Sequence, residues 1–279
     1  MYEKKSVMMM YLKKSSVGED HGSSHIVGRS LLYIVAAVIS LLALLFMPGT
    51  GALATAKTVQ SGSTSGSTTP PVRVIAQGRT DLPMVALTFD DGPNPMYTPQ
   101  ILGILAQYNV HATFFEVGQQ VQQYPALSSQ VVQAGNVVGD HTWDHPSLTN
   151  IPPAQQTSEI ERASAAIKAA SGTTPTLLRP PYGNTNLQVE TVTAEQHMTT
   201  VLWSVDTVDW SRPGVQSIVN TALNNAHDGS IILLHDGGGD RSETVAALPS
   251  IIKGLQARHY QLATVPNLIA DLYGQSAVA

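Results

Sequence analysis

Three patterns of apolar and polar residues follow one another along the chain. Residues 31–47 form an uncharged apolar run without an amphipathic period, approached by Lys4, Lys5, Lys13, Lys14 and Arg29. Between 57 and 80 the composition turns to Ser, Thr, Gly and Pro, which offers too little apolar surface to fold and predicts a flexible spacer. From residue 81 onward short β-rich runs alternate with longer helix-like segments, the pattern of βα units and a parallel sheet. The pattern predicts strands at 85–89, 112–117, 137–139, 177–179, 200–203, 230–234 and 260–263. Helices are predicted at 98–108, 125–134, 153–171, 187–197, 214–226, 242–258 and 266–273, lengths that suit crossover connections. The expected organisation is therefore a leader over 1–56, a spacer over 57–80 and one folded body over 81–279.

Seven βα units in one body suggest a barrel, although spacing alone does not separate a barrel from an open sheet. The position of the polar residues carries the choice. Asp90-Asp91, Asp140-His141, Arg179, Asp206 through Asp209, and His235-Asp236 each end or immediately follow an apolar strand. A parallel barrel gathers strand C-termini on one rim, so these side chains would converge there.

Composition narrows the partners. Net charge is −5, but residues 1–80 carry eight Lys and Arg against three Asp and Glu, and residues 81–279 carry seven against seventeen. A body that acidic repels phosphate backbones, which argues against nucleic acid and favours a neutral or weakly cationic substrate. No protein partner is implied. The basic leader and apolar run form an export signal with the body outside the membrane. Ala54-Thr55-Ala56 offers a cleavage site, whereas the long basic approach suits an uncleaved membrane anchor, and both readings stay open. The chain has no cysteine, so any metal must be held by His, Asp or Glu.

Five segments carry candidate chemistry. In Thr88-Phe89-Asp90-Asp91-Gly92-Pro93 two carboxylates stand at a strand end; neighbouring strand residues face opposite sides, so they can share a site only if the chain bends, and Gly92-Pro93 is the expected bend. One carboxylate can then bind a metal while the other acts as a general base. His141-Thr142-Trp143-Asp144-His145 has i, i+4 spacing, which on one helical turn puts both imidazoles on one face for a single divalent ion: zinc first, with cobalt or nickel also suited.

Arg179, in Leu178-Arg179-Pro180-Pro181-Tyr182-Gly183, can fork onto a carboxylate, and the stiff turn can present the Tyr182 backbone N–H to an oxyanion. Asp206-Thr207-Val208-Asp209-Trp210 supplies a supporting carboxylate, Asp209, and a flat apolar face, Trp210. The strand ending in Leu233-Leu234 delivers His235 into Asp236-Gly237-Gly238-Gly239, glycines that keep the backbone close to something. Near a carboxylate His235 would hold its proton longer, as a general acid requires.

Taken together, over about residues 81–273, these five segments resemble the NodB-homology polysaccharide deacetylases, carbohydrate esterase family four. The resemblance implies a distorted (β/α)7 barrel with Asp90 as base, Asp91, His141 and His145 as metal ligands, and His235 as acid. It further implies that Arg179 orients Asp90, Asp209 tunes His235, and Trp210 with Leu233 forms an acetyl pocket. Ser204 departs from the family's usual acidic or amide residue, with an expected effect on substrate contacts. The implied activity is that of an exported enzyme hydrolysing N-acetyl groups of an N-acetylglucosamine glycan: peptidoglycan, chitin oligosaccharide or poly-N-acetylglucosamine. Alternatives are O-acetylated xylan, a non-turning-over wall-binding protein, and a hydrolase of small cyclic amides.

Overall fold

Residues 70–270 and Leu272 are described in the structure, a computed structural model. The apolar run at 31–47, the small residues at 54–56 and the spacer up to residue 69 lie outside the described residues. Among the described residues no helix is long and apolar enough to cross a membrane.

The central strand is β2 (Met84–Gly92), whose residues Val85 to Asp90 are all buried. A strand covered on both faces must be apolar on both, so its sequence is continuous and not alternating. Its odd positions Val85, Leu87 and Phe89 join the core beneath the helices, where Phe89 stacks on Phe114 at 5.0 Å. Ala86 joins a separate inner cluster with Phe115, Leu177, Val201 and Ile231. Period-2 geometry then turns Thr88 and Asp90 the same way as Ala86, and Leu233 and His235 the same way as Ile231. Strand parity thus aims the chemistry before any loop is considered.

The sheet is parallel throughout its ladders. β1 (Val74–Ile75), β3 (Thr113–Glu116), β4 (Val137–Asp140), β5 (Leu177–Leu178), β6 (Thr199–Val201), β7 (Val205–Asp206) and β8 (Ile231–His235) join β2 in the order β1-β6-β5-β4-β3-β2-β8-β7. β9 (Gln261–Leu262) pairs with the start of β2. The helices α1 (Thr98–Gln107), α2 (Gly118–Gln123), α3 (Pro125–Gln133), α4 (Pro153–Ser171), α5 (Leu187–Glu195), α6 (Val215–Asn225), α7 (Ser242–Ala257) and α8 (Val265–Ile269) connect them. This curled sheet with its helices is the distorted (β/α)7 barrel expected from the sequence.

Three elements differ from the expectation. Val74–Ile75, inside the stretch read as spacer up to residue 80, pairs in register with Thr200 and Val201, and Gln77 bridges Ser230. The body therefore starts before residue 81, because two β-branched residues suffice once a strand edge is waiting for them. β7 was not expected, being only two residues long and pairing with β8 alone. α2 was missed because Gly-Gln-Gln-Val-Gln-Gln shows one apolar residue and no period. β6 and β7 do not pair with each other, and the ladder has a seam there. Ser204 lies at that seam: its amide donates to the Ile231 carbonyl at 3.1 Å and its hydroxyl accepts from the Ile231 amide at 3.2 Å. These two bonds pin β7 to β8.

Candidate active site

Asp90 and Asp91 reach one site through a bend at Asp91 itself, not at Gly92-Pro93. Asp91 has φ 72° and the β2–β3 register slips between Asp90 and Gly92. This left-handed residue returns a side chain that would have pointed outward. The loop after β8 holds the bend: the Asp236 and Gly237 amides donate to the Asp90 carbonyl at 3.0 and 3.2 Å. A Cβ at Gly237 would strike the Asp91 backbone, and one at Gly238 would strike the Asp91 carboxylate. The glycines are thus required by close approach.

His141 and His145 do not lie on a helical turn. β4 ends at Asp140 and an irregular loop follows, with Thr142 at φ 68° and His145 at φ 64°. Buried Asp140 shapes it, accepting the Thr142 amide at 2.8 Å and the Ser164 hydroxyl at 2.6 Å. The imidazoles still converge: His141 Nε2 and His145 Nε2 stand 3.5 and 3.3 Å from Asp91 Oδ1. One ligand atom from each of Asp91, His141 and His145 lies within 4.8 Å of the others. The Arg179 carbonyl, 2.7 Å from His141 Nδ1, can only accept, so Nδ1 carries the proton and Nε2 offers its lone pair.

Electrostatics fit the same conclusion. Burial pushes the Asp91 carboxyl up, but the His141 hydrogen bond and the charges of His141, His235 and His145 outweigh it and hold it well below the usual range. Burial pulls His141 down, yet Asp90 and Asp91 raise it above its ordinary value. Burial and the charge of His141 lower His145 below its ordinary value, which leaves its imidazole neutral; two imidazoles plus one carboxylate are the donor set of a divalent ion with open positions.

Arg179, fully buried, does more than orient a carboxylate. Its Nη1 donates to Asp90 Oδ1 at 2.7 Å and to Thr88 Oγ1 at 2.9 Å; Nε and Nη2 donate to the Val201 and Leu202 carbonyls at 3.3 and 3.1 Å. Contact with Asp90 is therefore single, not forked. The remaining donors serve carbonyls at and just beyond the end of β6. Asp90 is 3% exposed, and its Oδ2 faces His141 Nε2 at 3.7 Å.

Across the rim, Asp209 Oδ1 meets His235 Nδ1 at 2.7 Å, while Oδ2 accepts the His235 amide at 2.9 Å and the Thr244 hydroxyl at 2.7 Å. Burial lowers His235, but the Asp209 hydrogen bond and charge, with Asp90 and Asp91, raise it above the ordinary histidine value. Tyr182 has φ 62° in its turn and its ring packs edge-on to His145 at 4.7 Å. Trp210 is 55% exposed and Leu233 nearly buried, and both face the same groove.

That groove has a volume of about 720 Å³ and brings together Asp90, Asp91, His141, His145, Tyr182, Trp210, Leu233 and His235. Arg179 and Asp209 stand behind its wall and act through their partners. Asp206, expected on this rim, also lines it, and so do Gln119, Gln120, Asp144, Trp203 and Arg241, which the sequence does not single out as site residues. Arg241 carried a signal, since it follows the glycine loop; the glutamines on α2 carried none. Glu116 and Asp236 are two further buried acids. Burial pushes Glu116 up to about 8 and Asp236 up to about 7, against hydrogen bonds from Ser128 and Thr98.

The family model described as polysaccharide deacetylase matches residues 77–201. A peptidoglycan-N-acetylglucosamine deacetylase of Bacillus cereus is 44% identical over 188 residues, covering 67% of this chain and 88% of that protein. The chain belongs to the polysaccharide deacetylase family. It is accordingly a hydrolase of the carbohydrate esterase family four class. A chitooligosaccharide deacetylase of Bradyrhizobium is 41% identical over 196 residues, 66% of this chain and 90% of the relative. The crystal structure of a peptidoglycan N-acetylglucosamine deacetylase in complex with a naphthalenyl N-oxidanyl-benzamide superposes with a TM-score of 0.70 at 34% identity, covering 74% of this chain and 95% of that one.

Proposed function

We propose that this protein is an exported, metal-dependent deacetylase that hydrolyses N-acetyl groups of N-acetylglucosamine-containing glycans and releases acetate. The observation that carries the reading is the convergence of Asp91, His141 and His145 beside Asp90, with the Asp209–His235 pair across the same groove. Export rests on the basic leader and the apolar run at 31–47, which would secrete the body or anchor it at the wall.

Asp91, His141 and His145 would hold the divalent ion, with zinc the first choice for this donor set. Bound there, the ion supplies Lewis-acid polarisation of the amide carbonyl and acidifies water. Asp90, aimed by Arg179, takes a proton from the attacking water as the new C–O bond forms. The Tyr182 amide faces the developing oxyanion. His235, its Nδ1 fixed by Asp209, donates from Nε2 to the leaving nitrogen as the C–N bond breaks, so that acetate and an amino sugar depart. Trp210 and Leu233 form the apolar wall for the acetyl methyl.

Acetate release should be measured on chitin oligosaccharide, purified wall glycan and acetylxylan, with and without a chelator. Activity on the two N-acetylated glycans, lost on chelation and restored by zinc, is the expected result. Turnover indifferent to chelation would reject the metal, and release from acetylxylan alone would reject the amide assignment.

The pH profile gives a second check. His235 must be protonated to act as acid, and its pKa is raised, so activity falls as pH rises through that value. Asp209→Asn removes the carboxylate that raises it, and the alkaline limb of kcat/KM should move to lower pH. An unmoved limb would show that His235 is not the titrating acid.

A further inference from the structure

Arg241 is a buried cation that the reaction just described does not use. It is 5% exposed and yet lines the groove, and of the residues lining it only Arg241 is a lysine or arginine. The other buried arginine among the described residues, Arg179, has a carboxylate partner in Asp90. Arg241 makes no ion pair among the described residues. Its Nε donates to the Gly237 carbonyl at 2.6 Å, and its Nη1 reaches the Trp210 carbonyl at 3.4 Å. The adjacent Asp240 is committed to Tyr97, Arg212 and the Ser242 amide.

Neutral carbonyls orient a guanidinium but do not neutralise it, and a buried charge without a counter-ion is costly. A ligand carboxylate would offset that cost and match the planar fork. The same two hydrogen bonds tie the guanidinium to the glycine loop and to Trp210, whose exposed ring offers a flat face for a sugar. Cation and aromatic face are therefore held as one unit. Neutral hydroxyls already have Gln119, Gln120, Asp144 and Asp206 along the groove, so a permanent positive charge is useful only towards an anion.

We infer that Arg241 recognises a carboxylate on a sugar neighbouring the one deacetylated, making acidic N-acetylated glycans, such as strands bearing lactyl ethers, preferred substrates. This rests on the deacetylase reading of the groove. Asp144 and Asp206 also line the groove, and a carboxylate is accepted beside Arg241 and disfavoured beside them. The overall acidity of residues 81–279 makes this a local contact, not long-range attraction.

The test uses the full chain loaded with zinc, as wild type, Arg241→Gln and Arg241→Lys. Two glycans of equal length serve as probes: an N-acetylglucosamine oligomer, and a strand in which every second unit carries a free lactyl carboxylate. Binding by calorimetry and acetate release are both measured. Arg241→Gln should raise Kd and KM for the acidic strand by about tenfold more than it raises them for the neutral oligomer, the neutral strand reporting any loosening of the glycine loop and Trp210. Arg241→Lys, which keeps the charge but loses the fork, should give a smaller rise on the acidic strand only.

Equal rises on both glycans would mean a neutral sugar contact, and a fall in kcat on both with unchanged KM would mean a purely structural latch; either overturns the inference. If Arg241→Gln does not fold, the Lys variant decides by the same criterion. Should the wild type bind the acidic strand through Arg241 but release acetate from neither glycan, the deacetylase reading fails and the carboxylate site stands.

Discussion

Asp90→Asn should lower kcat for acetate release by about 10²–10⁴-fold while zinc affinity stays within a few-fold of the parent. The amide keeps an oxygen for Arg179 Nη1, now 2.7 Å from Asp90 Oδ1, so the groove keeps its shape and loses only the group that takes the proton. Asp91, His141 and His145 are untouched, which is why metal binding and turnover should separate. Zinc titration and initial rates on one preparation make the measurement. A variant within threefold of wild-type kcat would remove Asp90 from its role, and joint loss of zinc and activity would place Asp90 among the ligands instead.

The second large effect belongs to stability. Arg179→Met removes a fully buried guanidinium that serves Asp90, Thr88 and the carbonyls of Val201 and Leu202. It leaves a buried carboxylate uncompensated and two carbonyls without their donors. Breaking a buried pair from one side costs about 3–5 kcal/mol, equivalent to a drop in Tm of roughly 6–20 °C for a body of this size. Asp90→Asn should lose much less, since Asn retains an acceptor. Thermal unfolding of both variants compares them directly. Similar Tm values would mean that the fold holds without Arg179. Lysine at 179 should rescue little, because one ammonium cannot reach four acceptors set by a planar fork.

That dual role shows where sequence reasoning stopped. The sequence points to a clamp on a carboxylate at Arg179, and that is half of what the side chain does. Its other hydrogen bonds reach Thr88 and the carbonyls of Val201 and Leu202, and no local periodicity marks which distant atoms a buried side chain will meet. His141 and His145 teach a related lesson: their spacing suggested a helical turn, and they do converge, but through left-handed backbone at Thr142 and His145 shaped by buried Asp140. Convergence was legible and its geometry was not. The glycines at 237 and 238 were read as a close approach, and the object approached is Asp91.

By itself, the sequence determined the alternation of strands and helices, the parallel sheet and the rim on which the polar residues collect. These follow from local rules: a period of two aims Asp90 and His235 inward with Ala86 and Ile231, and apolar runs on both strand faces demand helices on one side and a packed barrel on the other. Tertiary structure alone decided which oxygen of each carboxylate is tied down, the bend at Asp91, the carbonyls that Arg179 meets, and the entry of Gln119, Gln120 and Arg241 into the groove. Each depends on atoms brought together from distant strands. Hydrogen-bond partners and unpaired charges are properties of that meeting, and no single stretch of chain encodes them.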